Sequence, residues 1–217
     1  MTAVFETLRV RGGAMPFLER HAARMARSVA ALGIPDPGPL GRAIPPLSSI
    51  GGSGERVIRI EAGMHGVTVT TRDVGPAIPF DVVTCSAPYQ PYPHKTTERA
   101  QFIAAQGAAR AAGAADALLV TRDGFVAEGT AWSLFWWEGD GLATSALDLG
   151  ILPGVARERI AGLVPLRERR VRRAGLAGAS LFAANAVRGV LPIARLDGAA
   201  IPADPRTAGL ARAFWPG

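Results

Sequence analysis

The sequence of 217 residues predicts a two-lobed α+β protein, with a small α/β N-terminal lobe and a larger β-rich C-terminal lobe. Three observations predict this fold class. Apolar residues recur at helical spacing through residues 16–34, and short strand-like runs joined by Asp-Gly turns fill residues 116–144. A proline-rich break near residues 87–93 separates these two regions. We therefore expect the lobes to span residues 1–87 and 88–217.

The composition is that of a globular protein, since 48% of the residues are hydrophobic and 19% are charged. No run reaches the ~18 apolar residues of a membrane span, and the start lacks the pattern of a secretory signal. The single cysteine, Cys85, predicts no internal disulfide and is consistent with a reducing, cytoplasmic location. It lies in the apolar run "FDVVTCS", which favours a buried strand residue over a nucleophile.

The formal net charge of +6 raises the possibility of a nucleic-acid partner. The arginines are scattered along the chain, with one local cluster, "RERRVRR", at Arg167–Arg173. Such a cluster is more often a solvated face than a binding patch. A basic protein also suits a small acidic ligand, so we expect a small acidic substrate as the partner, and neither nucleic acid nor a membrane.

The first half of the chain predicts one helix and three strands. "PFLERHAARMARSVAALGI" (16–34) has Pro16 in its first turn and Gly33 at its end. "PDPGP" and "SSIGGSGE" then mark loops. "RVIRIEA" and "VTVTTRD" flank residues 63–66 and predict a hairpin, and "FDVVTCS" (80–86) predicts a further strand.

The second half predicts two helices among many strands. "ERAQFIAAQGAARAAG" (98–113) is a helix rich in small residues, and residues 116–144 predict a dense β meander. "PGVARERIAGL" (153–163) predicts a helix that begins directly after Pro153-Gly154, and residues 180–198 predict a strand, a turn and a strand.

Lys95, in the segment "PYPHKTTER" (91–99), is the only lysine of the chain, because every other member of the 24 Lys and Arg residues is arginine. Arginine stays charged, whereas a lysine amine can lose its proton, attack a carbonyl and form a Schiff base. The alternative is a surface lysine kept by chance. Lys95 is therefore the candidate catalytic residue.

A Schiff-base lysine most often indicates pyridoxal phosphate, which also needs phosphate donors and a carboxylate at its pyridine nitrogen. Candidate donors are Arg24 in the first helix and the backbone amides of Val155 and Ala156 after Pro153-Gly154. A solvated helix arginine and an ordinary turn are the alternatives. Glu128, in "GFVAEGT", is the candidate carboxylate, because a glutamate at an interior strand end needs a charged partner.

Five segments together resemble the class IV (fold-type IV) pyridoxal-phosphate enzymes, which include branched-chain and D-amino-acid aminotransferases and aminodeoxychorismate lyase. In chain order they are "FETLRV" with the helix that carries His21 and Arg24, "HKTTER", "ALLVTRDGFVAEGTAWSLF", "GILPGVARERI" and "FAANAVRGVLPI". The resemblance runs nearly end to end, with the N-terminal lobe truncated relative to the family. It implies the family's two-lobed fold.

The resemblance also implies roles for the candidate residues. Lys95 would bind the cofactor as a Schiff base and then move the Cα proton of the substrate. Glu128 would keep the pyridine nitrogen protonated, and His21 would be structural. The groups that would hold the phosphate are Arg24, the amides of Val155 and Ala156, and the turn at Asn185 and Ala186. The family further implies a homodimer, and the site would need no metal.

Two details favour the lyase within this family. Branched-chain aminotransferases usually place a tyrosine five residues after the lysine, where this chain has Ala100, and "NAVRGVLP" resembles the lyase's Asn-Ala turn. The lyase would convert 4-amino-4-deoxychorismate, a dicarboxylate that Arg59 or Arg188 would suit, to 4-aminobenzoate and pyruvate for folate biosynthesis.

The alternative is a D-amino-acid or branched-chain aminotransferase of the same family. A remote alternative is a degenerate, non-catalytic basic protein that binds nucleic acid through Arg167–Arg173. That alternative is disfavoured because such a protein has no reason to keep both a Schiff-base lysine and its carboxylate partner.

Overall fold

The structure is a computed structural model that describes residues 2–44, 55–76 and 78–216. The helices within these residues are α1 (Leu18–Leu32), α2 (Leu40–Ala43), α3 (Ala100–Ala111), α4 (Val155–Ala161) and α5 (Pro205–Phe214). The strands are β1 (Val4–Val10), β2 (Arg56–Gly63), β3 (Gly66–Asp73), β4 (Phe80–Pro88), β5 (Asp116–Val120), β6 (Val126–Gly129), β7 (Ser133–Glu138), β8 (Gly141–Ser145), β9 (Leu166–Arg169), β10 (Leu181–Asn185), β11 (Gly189–Leu196) and β12 (Ala199–Ala200). The mixed helix and strand content confirms the predicted fold class.

The chain divides into two compact units. Unit 1 consists of Met1–Pro76 with His94–Glu98, and unit 2 consists of Ala77–Pro93 with Arg99–Gly217. The lobe boundary predicted after residue 87 stays a prediction. The two units divide the chain at other residues, because β4 pairs with strands of unit 2 and the segment 94–98 pairs with β1 of unit 1.

Unit 1 is built on an antiparallel sheet in the order β1-β2-β3. Because side chains alternate across a strand, one face of this sheet carries Val4, Leu8, Ile58 and Ile60, which form a core with apolar residues of α1. Helix α1 ends at Gly33, whose φ of 63° suits a residue without a Cβ. The predicted helix and hairpin are confirmed, with Gly63 opposite Gly66 at the turn.

Unit 2 contains a nine-stranded mixed sheet in the order β6-β5-β4-β11-β10-β7-β8-β9, with β12 beside β11. Strand β4 is parallel to both of its neighbours, β5 and β11. Helix α3 contacts β4 and β5, α4 contacts β10, and α5 contacts β11. These contacts place the core on the faces of the sheet, and Cys85 in β4 is partly buried against one of the apolar clusters.

The continuous meander predicted for residues 116–144 is wrong between β6 and β7. Strand β6 pairs with β5 at one edge of the sheet, whereas β7 pairs with β8 and β10. The hydroxyl of Thr130 and the indole Nε1 of Trp132 both donate to Asp116, over 2.6 and 3.0 Å, and draw the chain out of the sheet there. Gly129 is needed at this point, because a Cβ would lie 1.9 Å from the Trp132 ring.

Four short or terminal elements were not predicted, namely α2, β9, β12 and α5. The predicted loop "SSIGGSGE" lies, except for Glu55, outside the described residues. Among the described helices, none combines the length and the hydropathy that crossing a bilayer requires.

Candidate functional site

Lys95 lies on a short segment that is fixed to β1 by its backbone. The amide of Phe5 donates to the Lys95 carbonyl over 2.8 Å, the amide of Thr97 donates to Ala3, and Thr96 bridges to Val4. The Lys95 side chain is half-buried, and its Nζ lies 4.7 Å from the centroid of the Phe5 ring. The lysine is therefore held by ordered backbone on both sides, as a reacting amine requires.

A buried charged network lies on the other face of β1. Glu6, His21 and Arg24 are 0, 1 and 5% exposed. Arg24 donates to both carboxylate oxygens of Glu6, from Nε over 2.7 Å and from Nη2 over 2.6 Å, and His21 Nδ1 lies 2.7 Å from Glu6 Oε2. A buried arginine is tolerated when its charge is paired in this way. Arg24 is thus an oriented buried cation and not a solvated helix arginine.

The pKa values of the network follow from burial and charge. Burial alone would raise the pKa of Glu6, but the charge and hydrogen bonds of Arg24 and the hydrogen bond of His21 outweigh it and lower the pKa to about 2. Burial lowers the pKa of His21 despite its contact with Glu6. A neutral His21 donates from Nδ1, and its buried Nε2 has no hydrogen-bond partner among the described residues. This geometry suits the structural role predicted for His21.

In unit 2, Glu128 is 5% exposed at the end of β6 and accepts hydrogen bonds on Oε1. The Tyr89 hydroxyl donates to it over 2.7 Å and the Leu152 amide over 3.3 Å. Burial and the neighbouring Glu128 charge raise the pKa of Tyr89, which keeps that hydroxyl protonated as a donor. Glu128 is thus a buried, oriented carboxylate, as its predicted role requires.

The start of α4 is a candidate anion cradle in the same unit. Val155 and Ala156 are each 2% exposed, and the amides of a first helical turn have no acceptor within the helix. A Cβ on Gly154 would lie 3.0 Å from the Ser133 hydroxyl, so glycine allows the helix start to approach β7 closely. Arg157 secures the helix, because its Nη1 donates to the Ser145 carbonyl over 2.6 Å.

The predicted turn at Asn185 and Ala186 lies beside this cradle. Ala184 pairs with Ser133, the residue that faces Gly154, and Asn185 follows directly. The Asn185 side-chain oxygen accepts from the amides of Val187 and Arg188 over 3.0 and 2.8 Å, and its Nδ2 donates to the Ala131 carbonyl. The structure therefore brings the α4 start and the Asn185 turn together around Ser133.

The predicted residues of unit 2 fit pyridoxal phosphate by the chemistry of the donor set. Lys95 and Arg24 belong to unit 1, and the other predicted residues (Glu128, Val155, Ala156, Asn185 and Ala186) belong to unit 2. Unit 2 offers an oriented buried carboxylate for a pyridine nitrogen and a helix start for a phosphate, linked by Leu152, which bonds Glu128 and lies three residues before Val155. Among the described residues no group of His, Cys, Asp or Glu is arranged to hold a metal ion.

Three contributors were missed in the sequence. Glu6 orients Arg24, Tyr89 orients Glu128, and Ser133 lies against the α4 start. For Glu6 a signal was present, since it is the one carboxylate in the apolar run "VFETLRV" and has the same parity as Val4 and Leu8. Tyr89 gave no such signal, because it lies in the proline-rich loop.

Nearby carboxylates compensate much of the positive charge of the arginine cluster at Arg167–Arg173. Arg169 pairs with Glu138 at 2.9 Å, Arg170 with Asp148 at 2.8 Å, and Arg173 with Asp197 at 2.8 Å. These exposed pairs favour a solvated face over a patch for phosphate backbones.

Comparisons with known proteins give a consistent picture. The family model described as "Amino-transferase class IV" matches residues 3–196. A fold IV-transaminase, CpuTA1, from Curtobacterium pusillum is 26% identical with a TM-score of 0.87, over 98% of this chain and 83% of that chain. A structure described as "Putative 4-amino-4-deoxychorismate lyase" is 25% identical with a TM-score of 0.82, over 99 and 90%.

A "hypothetical aminotransferase" from Mycobacterium tuberculosis in its PLP-bound form is 22% identical with a TM-score of 0.86, over 98% of this chain and 88% of that chain. A search of curated protein sequences gave no significant match. The family match spans most of the chain, and the fold agrees with those solved structures. The chain therefore belongs to the class IV aminotransferase family of pyridoxal-phosphate-dependent enzymes.

Proposed function

We propose that this protein is a lyase that converts 4-amino-4-deoxychorismate to 4-aminobenzoate and pyruvate, a step of folate biosynthesis. The observation that carries the proposal is the turn at residues 185–189, "NAVRG", which resembles the Asn-Ala turn of the lyases. Asn185 closes that turn on itself through two backbone amides, and Ala186 places no hydroxyl there. The solved structure described as such a lyase, 25% identical to this chain, supports the same assignment.

Ala100 gives second support to the lyase. It is the first residue of α3, is exposed, and stands where branched-chain aminotransferases usually carry a tyrosine. An alanine side chain supplies no hydroxyl to a substrate carboxylate. It also leaves more room than a tyrosine for a ring-shaped substrate.

Each predicted residue has a task in this proposal. The Lys95 amine would hold the cofactor, and its Nζ, once the substrate amine has displaced it, would accept the proton from the amine-bearing carbon of the substrate. Glu128, oriented by Tyr89, holds a proton at the pyridine nitrogen, and Arg24, oriented by Glu6, supplies a cation for the phosphate. The remaining phosphate contacts come from Val155, Ala156, Asn185 and Ala186. When bound, pyridoxal phosphate supplies an electron sink for the bond cleavage.

The reaction balances with these groups alone. The C–H bond at the amine-bearing carbon and the C–O bond to the enolpyruvyl group break, and the ring becomes aromatic. The proton that Lys95 removes is returned to the leaving enolpyruvate, which becomes pyruvate. No second substrate, oxidant or reductant is required.

An amino-acid aminotransferase is the second candidate, favoured by the 26% identity to a fold IV-transaminase. Its substrate would be a D-amino acid or a branched-chain amino acid. A transaminase must release a keto acid from one substrate and then accept a second keto acid, whereas the lyase uses one substrate only. The two candidates therefore predict different products.

The test is product analysis with the holoenzyme. We expect 4-amino-4-deoxychorismate to give 4-aminobenzoate and pyruvate in equal amounts, with little keto acid from D-alanine, D-glutamate or L-leucine. Keto acid release from one of those amino acids, with no 4-aminobenzoate, would assign the protein to the aminotransferases instead. Lys95→Ala is the matched control and should abolish either activity.

We also propose that the protein is a homodimer that acts on a small acidic molecule. Support comes from the family resemblance, since its members form homodimers with active sites near the subunit interface. Light scattering at micromolar concentration should give twice the mass of 22.6 kDa. A monomer under those conditions would contradict this part of the proposal.

A further inference from the structure

Helix α5 is fixed to unit 2 through one apolar face. Thr207, Leu210 and Phe214 are all buried, and their spacings of three and four residues place them on the same side of the helix. The helix contacts β11 and α4, so this face packs against those two elements. At the start of the helix, the Asp204 side chain accepts from the amide of Arg206 over 2.9 Å.

Arg159 of α4 holds the other end of α5. Its Nε donates to the Phe214 carbonyl and its Nη2 donates to the Ala213 carbonyl, each over 2.8 Å. The last carbonyls of a helix have no acceptor role within the helix, and a cation at that end is favoured by the helix dipole. The two bonds therefore fix the point where the chain leaves α5, and Trp215 is the next residue.

Trp215 packs on Gly189, which lies at the end of the 185–189 turn and pairs with Asn185 across it. A Cβ on Gly189 would lie 3.1 Å from the indole Nε1 of Trp215 and 3.3 Å from two of its ring carbons. The indole is half-buried, and the Phe214 ring meets it edge-on, with the centroids 4.9 Å apart. The indole thus covers one side of the turn, in the space that a side chain at residue 189 would need.

The opposite side of the turn is held by Asn185. Its Oδ1 accepts from the amides of Val187 and Arg188, and its Nδ2 donates to the Ala131 carbonyl. A turn that is fixed on both sides keeps its backbone groups pointing in one direction before a ligand arrives. Such preorganisation increases affinity, because the ligand does not have to order the turn.

We propose that Trp215, held by Arg159 and Phe214, is a positioning residue that keeps the 185–189 turn in the shape that binds the phosphate of pyridoxal phosphate. The inference rests on the proposed function only in taking Asn185 and Ala186 as phosphate contacts, and it holds for a lyase and for an aminotransferase alike. Trp215 acts on the cofactor through Gly189. It lies outside residues 3–196, the part of the chain that the family model matches.

The experiment compares pyridoxal phosphate with pyridoxal, which has no phosphate group. Both are titrated into the full-length protein freed of cofactor, and bound ligand is measured by equilibrium dialysis. Trp215→Ala should weaken the binding of pyridoxal phosphate about tenfold and that of pyridoxal less than about twofold, because only the phosphate contacts depend on the turn. A residue that only stabilised the fold would weaken the binding of both ligands equally.

Hydrogen exchange of the cofactor-free protein measures the turn directly. The amides of Val187 and Arg188 are protected by the Asn185 side chain only while the turn keeps its shape. In Trp215→Ala they should exchange about tenfold faster, whereas the amides of β7 should exchange at the wild-type rate, since the opening is local.

Matched variants make the result specific. Arg159→Met removes both hydrogen bonds to the end of α5 and should change both measurements in the same direction as Trp215→Ala. Arg212→Met removes an exposed arginine of α5 itself and should change neither. Trp215→Phe keeps a ring near Gly189 and should cause a smaller loss of pyridoxal phosphate binding, and it replaces Trp215→Ala if that variant folds poorly in a thermal melt.

A double-mutant cycle tests the contact itself. Gly189→Ala adds a Cβ at a φ of 77°, and this strain is the same with or without the indole. The clash with Trp215 is present only in the wild-type background. Gly189→Ala should therefore weaken pyridoxal phosphate binding less in Trp215→Ala than in the wild type, whereas independent effects would show that the contact does not matter.

Three further results would overturn the proposal: pyridoxal phosphate binding by Trp215→Ala at the wild-type level, an equal loss for both ligands, or unchanged exchange at residues 187 and 188. The proposed function is tested separately by its products. If the wild type gives no 4-aminobenzoate while phosphate recognition still depends on Trp215, the positioning role stands and the lyase assignment fails. If 4-aminobenzoate is formed and Trp215→Ala binds both ligands normally, the lyase assignment stands and the positioning role fails.

Discussion

Replacing Glu6 with glutamine removes the carboxylate charge that pairs with Arg24 and leaves a buried guanidinium beside a neutral amide. The pKa of Glu6 is lowered from 4.5 to about 2, and each pKa unit corresponds to about 1.4 kcal/mol. The charged form of Glu6 therefore contributes about 3 kcal/mol to the free energy of unfolding at neutral pH. Glutamine imitates the protonated carboxyl, so Glu6→Gln should lose this amount.

The sign of the pH dependence follows from the direction of the shift. A carboxyl group with a lowered pKa contributes its full stability above pH 4.5 and loses it as the pH falls towards 2. The deficit of Glu6→Gln relative to the wild type should thus be about 3 kcal/mol at pH 7 and shrink towards zero near pH 2. Urea unfolding of cofactor-free protein, followed by tryptophan fluorescence across this pH range, measures it.

The matched control is Glu138→Gln, which breaks an exposed pair with Arg169 in unit 2. Exposed ion pairs contribute about 0–1 kcal/mol, so this variant should be nearly neutral at every pH. The reasoning is refuted if Glu6→Gln is no less stable than Glu138→Gln at pH 7. A large deficit that does not change with pH would likewise show that the Glu6 charge is not its cause.

Lys95 should carry the cofactor, so the holoprotein should absorb visible light and borohydride reduction should fix the cofactor covalently on Lys95. Lys95→Arg should be as inactive as Lys95→Ala, because a guanidinium forms no imine. Cofactor fixed on another residue would contradict this prediction. Glu128→Gln should lower turnover on the order of 10²-fold while cofactor affinity is retained, and a near-normal rate would show that another group serves the ring nitrogen. Tyr89→Phe should lower turnover less, by about tenfold, because it removes one hydrogen bond to Glu128; a loss as large as that of Glu128→Gln would indicate a direct role for the hydroxyl.

Local pattern was sufficient wherever an element is stabilised by neighbours in sequence. The helical spacing of residues 16–34 corresponds to α1, and two apolar runs around 63–66 correspond to the β2-β3 hairpin. The local pattern failed to predict the fold where strand pairing joins residues that are distant in sequence. The parallel pairing of β4 with β11 and the separation of β6 from β7 depend on contacts such as Trp132 with Asp116, which no periodicity encodes.

The sequence by itself determined which reactive groups are present: a single lysine, a glutamate at an interior strand end and a glycine before a helix, in the order that resembles the family. These are properties of residue type and spacing, which can be read from the sequence without a structure. Only the tertiary structure decided how the groups are held. Glu6 orients Arg24, Tyr89 orients Glu128, and the backbone of β1 holds the Lys95 segment. The reason is that a buried charge must find its partner through packing, and the partners of these groups lie many residues away along the chain.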